Sequence, residues 1–318
     1  MKKVNVHIVT YNSQDDIAEC LMAVLEQTYP LHQIIVIDNQ SQDNTVQAIH
    51  GLQDRGITVV ANKENNGFAG GHNQAIRMAD PGVDYYLVLN PDVKLHPDYV
   101  VSLVQAVEKD PSIGSATGML VFTENPTVID STGLRINRAR RAFDRGQGEA
   151  ADRWRQEDEV FGVSGAAAFY SSRMVRDISV DGEFYDEDFF AYKEDVDVAW
   201  RSRVMGWKAL YVPEAKGYHR RGWKKGSRGT IPLRIRRYSY INRYKMMMKN
   251  DRLLEVLKQC VPLFMYELPS LLYFLVREPQ VLGAWKSVWS TWSELRRKRE
   301  YIHSRRKSEW QEIYRFFE

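Results

Sequence analysis

The sequence predicts an α/β fold: a mainly parallel sheet with helices on both faces, followed by a helical C-terminal region. Three observations predict it. Strand-like and helix-like stretches alternate through the first 90 residues, with helices of roughly 10 residues between strands, the spacing of βαβ units in a sheet covered on both sides. Each strand-like stretch stops at a polar cluster, Tyr11-Asn12, Asp38-Asn39, Asn62 and Asn90-Pro91-Asp92, on the carboxyl edge where open parallel sheets bind ligands. Beyond residue 230 the chain becomes basic and aromatic and the alternation is gone.

Taken in order, "VNVHIVTYN" (4–12) reads as a strand and "DDIAECLMAVLEQ" (15–27) as an amphipathic helix. Strand "QIIVIDN" (33–39), helix "NTVQAIHGL" (44–52) and strand "ITVVAN" (57–62) follow. "NKENNGFAGGHNQA" (62–75) then reads as a glycine-rich loop opening a helix at 71–79, a place where backbone amides can approach phosphate oxygens. Strand "DYYLVLN" (84–90) ends at Asn-Pro-Asp, and "GSATGMLVF" (114–122) is strand-like. The Arg-rich "RINRARRAFDRGQGEAADRW" (135–154) reads as a mobile surface loop over the site. In "EDVDVAWRSRVMGW" (194–207) apolar residues fall at 196, 199, 200 and 204, which is helical spacing, so Glu194 and Asp195 open a helix whose dipole favours their ionised form.

At 318 residues the chain can bury a sizeable core as one large domain or a domain with an appendage. Its two cysteines, Cys20 and Cys260, have neither disulfide-framework nor zinc-site spacing. With no apolar run after Met1-Lys2-Lys3, a secretory leader is not expected and a reducing, cytoplasmic location is. The net charge of +3 conceals an asymmetry: from Arg221 onward there are 22 Lys and Arg against 9 Asp and Glu, and before it 22 against 32. A basic tail on an acidic front points to an anionic surface as the tail's partner. "LLEVLKQCVPLFMYELPSLLYFLV" (253–276) has no charge-free run of membrane-spanning length. With "RIRRYSYINRYKMMMK" (234–249), "RRKREYIHSRRK" (296–307), Trp285, Trp289 and Trp292, it suggests amphipathic helices in an anionic leaflet, or helices packed on the domain or in a homodimer interface.

Asp92, fixed by the preceding proline at a strand end, suits a divalent cation, because Mg²⁺ is commonly held by one or two carboxylates with substrate phosphates completing its shell. Arg220, Arg221, Lys224 and Lys225 are natural diphosphate partners. The glycine-rich stretch matches neither GxGxxG nor GxxxxGK[ST], which argues against a dinucleotide redox cofactor and against ATP hydrolysis.

Seven ordered motifs, "VTYN", "IDNQSQD", "NNGFAGGHN", "LNPDV", "VSGAAAFY", "FFAYKEDVDVAWR" and "YHRRGWKKGS", resemble the GT-A glycosyltransferases of family 2, most closely their bacterial rhamnosyltransferase-like branch. The resemblance spans about residues 1 to 250. It implies a Rossmann-like GT-A catalytic domain over 1–230, donor-binding over 1–110 and acceptor-side over 111–230; composition makes 231–318 a basic, aromatic-rich helical region, membrane-associated or dimerising. It further implies a nucleotide site with Thr10, Tyr11, Asn12, Asp38, Asn66, Gly67, Asn73 and Asn90, and Mn²⁺ or Mg²⁺ on Asp92 and His219. Asn90 stands where the family's DxD-type motif has its first Asp. Asp195 is the expected base with Glu194 positioning the acceptor, and Gly165, Ala166, Arg220 and Lys224 are expected at the acceptor or diphosphate.

The expected activity is inverting transfer of a sugar from a dTDP- or UDP-sugar, dTDP-L-rhamnose being one candidate, to a lipid-linked or polysaccharide acceptor of the cell envelope, on the inner face of the plasma membrane. A sugar nucleotidyltransferase is the alternative enzyme, but "VTYNSQDD" lacks the Gly-rich basic signature such enzymes show near the first strand. Nucleic-acid binding through the tail is not expected, since the acidic front would repel phosphate backbones.

Overall fold

The structure, a computed structural model, describes residues 1–52, 55–221 and 231–318. Four strands that alternate with helices form the parallel half of one sheet: β1 (Val4–Thr10), β2 (Gln33–Asp38), β3 (Ile57–Ala61) and β4 (Tyr85–Leu89). Between them lie α1 (Ile17–Leu25), α2 (Thr45–His50) and α3 (Gly67–Met78). β5 (Val93–Leu95), α4 (Tyr99–Val107), β6 (Ile113–Phe122), β7 (Asn125–Ser131), β8 (Leu134–Ile136), β9 (Ala142–Asp144), β10 (Asp158–Val160), β11 (Ala167–Ser171), α5 (Ser172–Ile178), α6 (Glu194–Val204) and β12 (Lys208–His219) complete the first 219 residues. The strand order is β10-β12-β6-β11-β4-β1-β2-β3, with β5 on β12, β7 on β6, and β8-β9 as a separate hairpin.

Registers explain the common edge. Thr10 lies opposite Asp38, Asp38 opposite Ala61, and Ile8 opposite Leu89, so the polar residues after β1, β2 and β4 emerge together. β11 runs antiparallel to β4 with Ala167 opposite Leu89, which brings Gly165 and Ala166 to the same edge, where the Asn90 amide donates to the Ala166 carbonyl at 2.9 Å. Near-continuous apolar strands such as "YYLVL" are buried throughout, as a sheet covered on both faces requires. Ile17, Leu21, Ile49 and Leu103 from α1, α2 and α4 cover one face, and Ala69, Met174 and Trp200 from α3, α5 and α6 belong to the core on the other.

Two expectations change. α3 begins at Gly67, four residues earlier than the pattern suggests, so most of the glycine-rich stretch is helix. Small residues are needed there because α3 lies directly on β1: a Cβ at Gly71 would meet the Val9 side chain at 2.8 Å. The stretch 135–154 is an ordered hairpin and turn in place of a mobile loop. Arg140 anchors it, fully buried, with Nε donating to Asp251 Oδ2 at 2.7 Å and Nη1 to Gln259 Oε1 at 2.6 Å.

The C-terminal helices are α7 (Leu233–Asn250), α8 (Leu253–Lys258), α9 (Cys260–Arg277), α10 (Pro279–Leu282), α11 (Trp285–Ser290), α12 (Trp292–Ser304) and α13 (Trp310–Tyr314). Several of their cations pair with carboxylates of the first 220 residues, two of them in the interior. Asp197 of α6, fully buried, accepts from Lys249 Nζ at 3.0 Å, Asn250 Nδ2 at 2.7 Å and Arg201 Nη2 at 3.3 Å. Lys298 of α12 donates to Asp186 at 2.8 Å, and Lys249 bonds the same carboxylate. Arg297 pairs with Asp181, and Arg305 and Lys307 pair with Asp177. Much of the basic tail thus neutralises the acidic front of the same chain.

Removing one member of a buried ionic cluster strands the others without a counter-charge. Asp197→Ala is expected to lower stability by about 3–5 kcal/mol in urea denaturation, with Asp197→Leu/Lys249→Met recovering part of the loss. A change within about 0.5 kcal/mol, the range of ordinary surface substitutions, would show that the cluster does not tie α7 to α6.

Candidate active site

A cavity of about 540 Å³ opens on the carboxyl edge of the sheet. One wall carries Asn90, Asp92 and His219, another Ser164, Gly165 and Ala166, and a third Lys193, Glu194 and Asp195 at the start of α6. The β8-β9 hairpin closes over it with Ala142, Phe143 and Asp144, and Ser239 of α7 completes the lining.

His219, the last residue of β12, stands between two carboxylates. Its Nε2 is 3.3 Å from Asp92 Oδ1, and its Nδ1 is 2.6 Å from Asp130 Oδ2. Burial alone would lower the imidazole pKa, but hydrogen bonds to Asp130 and Asp92 overcome it and raise it to about 9. Burial acts to raise the Asp92 pKa, and the bond to His219, the His219 charge and the Arg221 charge together outweigh it, holding it below its ordinary value. Asp130, buried on β7, also meets Arg221 Nε at 2.8 Å. A carboxylate on one ring nitrogen, with the other nitrogen facing the cavity beside Asp92, is the arrangement that orients a metal-ligating histidine. The donor set of one carboxylate and one imidazole suits Mn²⁺ or Mg²⁺ whose remaining positions are filled by phosphate and water. Among the described residues no cluster of three or more metal-ligating side chains occurs, so Asp92 and His219 would hold a cation together with its substrate.

Opposite them, Asp195 accepts from the Gly165 amide at 3.2 Å through Oδ2 and from the Val196 amide at 2.8 Å through Oδ1. Glu194 is buried, and its Oε2 has no hydrogen-bond partner among the described residues. Burial first, and then the neighbouring Asp195 charge, push the Glu194 pKa up to about 8. Burial also raises that of Asp195, while the Lys193 charge and the two amides pull it back. Desolvation therefore outweighs the helix dipole, contrary to the expectation of two ionised carboxylates at the helix start. Burial thus disfavours a second charge on the pair, and Asp195, which holds both amides, is the better stabilised as the anion.

The chain enters α6 through left-handed backbone: Phe190, Tyr192 and Lys193 have φ of 58°, 73° and 72°. Each such residue costs roughly 1–2 kcal/mol. Asn242, fully buried in α7, offsets this by donating Nδ2 to the carbonyls of Phe189 (2.8 Å), Ala191 (3.0 Å) and Tyr192 (2.9 Å). Gly67 makes the turn possible from the other side: its own φ is +72°, and a Cβ there would lie 2.3 Å from the Phe190 carbonyl oxygen.

Of the residues expected from sequence, the cavity gathers Asn90, Asp92, Gly165, Ala166, Glu194, Asp195 and His219. Thr10, Tyr11, Asn12, Asp38 and Asn66 are not on its wall. Asp38 is buried and takes hydrogen bonds from the Thr10 hydroxyl at 2.9 Å and the Ser41 amide at 3.0 Å. Asn12 Oδ1 accepts from the Gln42 amide, and Tyr11 is exposed. Asn73 is buried and locks α3 to the 185–187 segment, donating to the Tyr185 carbonyl at 2.7 Å and accepting from its amide at 3.0 Å. Gly67 serves packing against Phe190, as above. Arg220 turns from the cavity to Asp16, 2.8 Å away; Arg221 lines the cavity instead. Lys224 lies outside the described residues. Asp130, Asp144, Arg221 and Asn242 complete the arrangement; Asp130 is signalled in sequence by a lone carboxylate inside the strand "TVIDS".

The family model described as glycosyl transferase family 2 matches residues 5–178. The chain belongs to this family. Among curated family relatives, a poly-beta-1,6-N-acetyl-D-glucosamine synthase of Staphylococcus aureus is 26% identical over 216 residues, covering 65% of this chain and 47% of that one. The synthase of that name from Staphylococcus epidermidis is 23% identical over 216 residues, with the same coverage. The chain thus spans about half the length of the curated relatives it matches. Among solved structures, GalNAc-T7 with UDP, GalNAc and Mn²⁺ superposes with a TM-score of 0.60 at 15% identity, over 78% of this chain and 48% of that one. S. aureus TarS gives 0.58 at 13%, over 99% and 54%. The mannosyltransferase PcManGT from Pyrobaculum calidifontis, solved with GDP-Man and Mn²⁺, gives 0.52 at 19%, over 92% and 75%. At these identities the likeness is one of fold, the GT-A fold expected from the motifs.

A carboxyl whose folded pKa exceeds its unfolded value contributes stability that is complete below the unfolded value and lost as pH rises through the folded one. For Glu194 that loss builds up from the ordinary carboxyl range and is complete just above pH 8. Glu194→Gln is therefore expected to match wild-type stability at about pH 4 and to exceed it increasingly as pH rises, by on the order of 2–4 kcal/mol or more at about pH 9, read from urea denaturation at both. A constant difference across that range would place the Glu194 proton elsewhere.

Proposed function

We propose that the protein is a metal-dependent, inverting glycosyltransferase that takes a sugar from a nucleoside diphosphate donor and passes it to a hydroxyl of a cell-surface glycan precursor. The observation that carries this reading is the division of the cavity: Asp92 and His219 on one wall, and Asp195, held by the Gly165 and Val196 amides, on the other. Family membership and Mn²⁺ in the fold neighbours GalNAc-T7 and PcManGT support it.

In this reading Asp195 is the base that takes the acceptor hydroxyl's proton as that oxygen attacks the anomeric carbon. Its raised pKa suits the task, since a base works best when its affinity for protons approaches the working pH. Protonated Glu194 can donate a hydrogen bond and adds no second negative charge beside the attacking oxygen. A cation bound by Asp92 and His219 would supply charge stabilisation for the departing diphosphate. Arg221, on the same wall and paired with Asp130 and Asp144, offers a second positive group. The β8-β9 hairpin contributes Ala142, Phe143 and Asp144 to the cavity wall.

A UDP-sugar comes first among donors, because the matched synthases are named for N-acetylglucosamine polymers and TarS was solved with UDP-GlcNAc. dTDP-L-rhamnose, suggested by the motifs, comes second. Calorimetry of nucleoside diphosphates and their sugars, with and without Mn²⁺, tests the site. One diphosphate should bind in a metal-dependent manner to the wild type, and that dependence should disappear in Asp92→Ala. Asp195→Asn should retain the binding while donor turnover falls by about 10²–10⁴-fold, the usual contribution of a general base. Metal-independent binding, or equal turnover in Asp195→Asn, would contradict these roles.

A further inference from the structure

We propose that the outer face of α9 is a docking surface that lies in the plane of an anionic lipid bilayer. α9 has two unlike sides. On the inner side Leu263 and Phe274 are buried, Glu267 takes Arg243 Nη1 and the Tyr244 hydroxyl at 2.6 Å each, and Phe274 packs edge-on against Tyr240 at 4.6 Å. These contacts fix the rotation of the helix. Val261, Phe264, Leu268, Leu271 and Leu275 follow one another at three- and four-residue intervals on the outer side, with Leu272 four after Leu268, all exposed. Met265 within the stripe and Val276 at its end are 71% and 77% exposed. No charged residue interrupts the stripe, and Leu253, Leu254 and Leu257 of α8, also exposed, precede it.

α9 is the one helix among the described residues that is long and apolar enough to cross a membrane. The ion-paired inner side argues for lying flat instead: a spanning helix would have to break Glu267 from Arg243 or carry the pair into hydrocarbon. A helix with one apolar face and one face held on a folded domain settles at the interface between headgroups and acyl chains.

Charge selects lipid over a second copy of the chain. The exposed charges near the ends of the stripe are cationic: Arg277 and Lys286 are exposed, as is Lys258, which pairs with the buried Glu255 at 2.7 Å, and Glu278 binds Arg236. Arg277 and Lys286 have no ion pair among the described residues. Two copies joined face to face about a twofold axis would bring these cationic ends together, parallel or antiparallel, whereas anionic headgroups complement them. Trp289 and Trp292, 73% and 49% exposed, add side chains of the kind favoured at membrane interfaces.

The surface adjoins the cavity. Ser239 lines the cavity while Tyr240 and Tyr244, on the same helix, touch α9. The hairpin that roofs the cavity reaches α9 through Arg141, whose guanidinium lies 4.9 Å from the Tyr266 ring centroid. A bilayer under α9 would therefore lie beside the cavity, within reach of a lipid-borne substrate. The docking itself does not depend on the transferase reading.

Flotation of the full chain with vesicles of phosphatidylcholine alone, and of phosphatidylcholine with phosphatidylglycerol, tests the proposal. Wild type should float with the phosphatidylglycerol vesicles. Leu268→Glu/Leu272→Glu should reduce the bound fraction by about tenfold or more, with its thermal unfolding unchanged. Should that variant unfold, Val276→Glu alone, at the most exposed position, reads the same loss. Wild type that remains unbound with both vesicles overturns the proposal. So does wild type that is a dimer by sedimentation velocity, becomes monomeric in the variant and ignores vesicles, which would assign the face to a second copy. Metal-dependent nucleotide binding should be equal in wild type and variant, which separates this outcome from that of the catalytic reading.

Discussion

The cavity depends on how the chain enters α6. Phe190, Tyr192 and Lys193 adopt backbone that L residues avoid, and the detour aims the first two helical side chains, Glu194 and Asp195, at the cavity. Such a turn persists only where its surroundings over-determine it. Here the surroundings are Asn242, whose amide collects three carbonyls of the turn, and Gly67, whose missing side chain makes room for Phe190. One comes from the C-terminal helix α7 and the other from the start of α3. The acidic pair is thus held jointly by segments about 175 residues apart in sequence.

Electrostatics follows from that placement. Two adjacent carboxyls taken out of water cannot both remain charged cheaply. Asp195, with amides from Gly165 and Val196, is the better stabilised as an anion, while Glu194 Oε2 lacks a partner. Across the cavity the balance is the reverse: His219 between Asp92 and Asp130 retains a proton despite its burial. One wall thus presents a poised base and the other a cationic ring nitrogen whose proton a metal could replace. Behind both, Asp186 and Asp197 are neutralised by Lys249 and Lys298 from α7 and α12, so the helices that supply Asn242 are fastened by charges the acidic half of the chain lacks.

The first four strands, their alternation with helices and the edge carrying Asn90, Asp92 and His219 were legible in sequence, because a near-continuous apolar run broken by Asx and Pro is a local signal. The start of the α6 helix was legible from the spacing of Val196, Trp200 and Val204. The roles of Asn73, Gly67 and Arg220 were not, since each depends on a partner remote in sequence: Tyr185, Phe190 and Asp16. Where individual tail charges point was not legible for the same reason. Charge counting cannot tell a cation facing solvent from Lys249 facing Asp197, and it leaves the apolar side of α9 hidden behind Glu267, which faces inward.

The most direct test of this account is Asn242→Leu, which keeps the bulk of the side chain and removes its three hydrogen bonds to the α6 entry. Metal-dependent binding of the nucleoside diphosphate, on the opposite wall, should remain as in the wild type. Release of nucleoside diphosphate from bound donor should fall by about 10²-fold, the cost of a misplaced catalytic group. Wild-type turnover in this variant would contradict the claim that the latched left-handed turn sets the aim of Asp195.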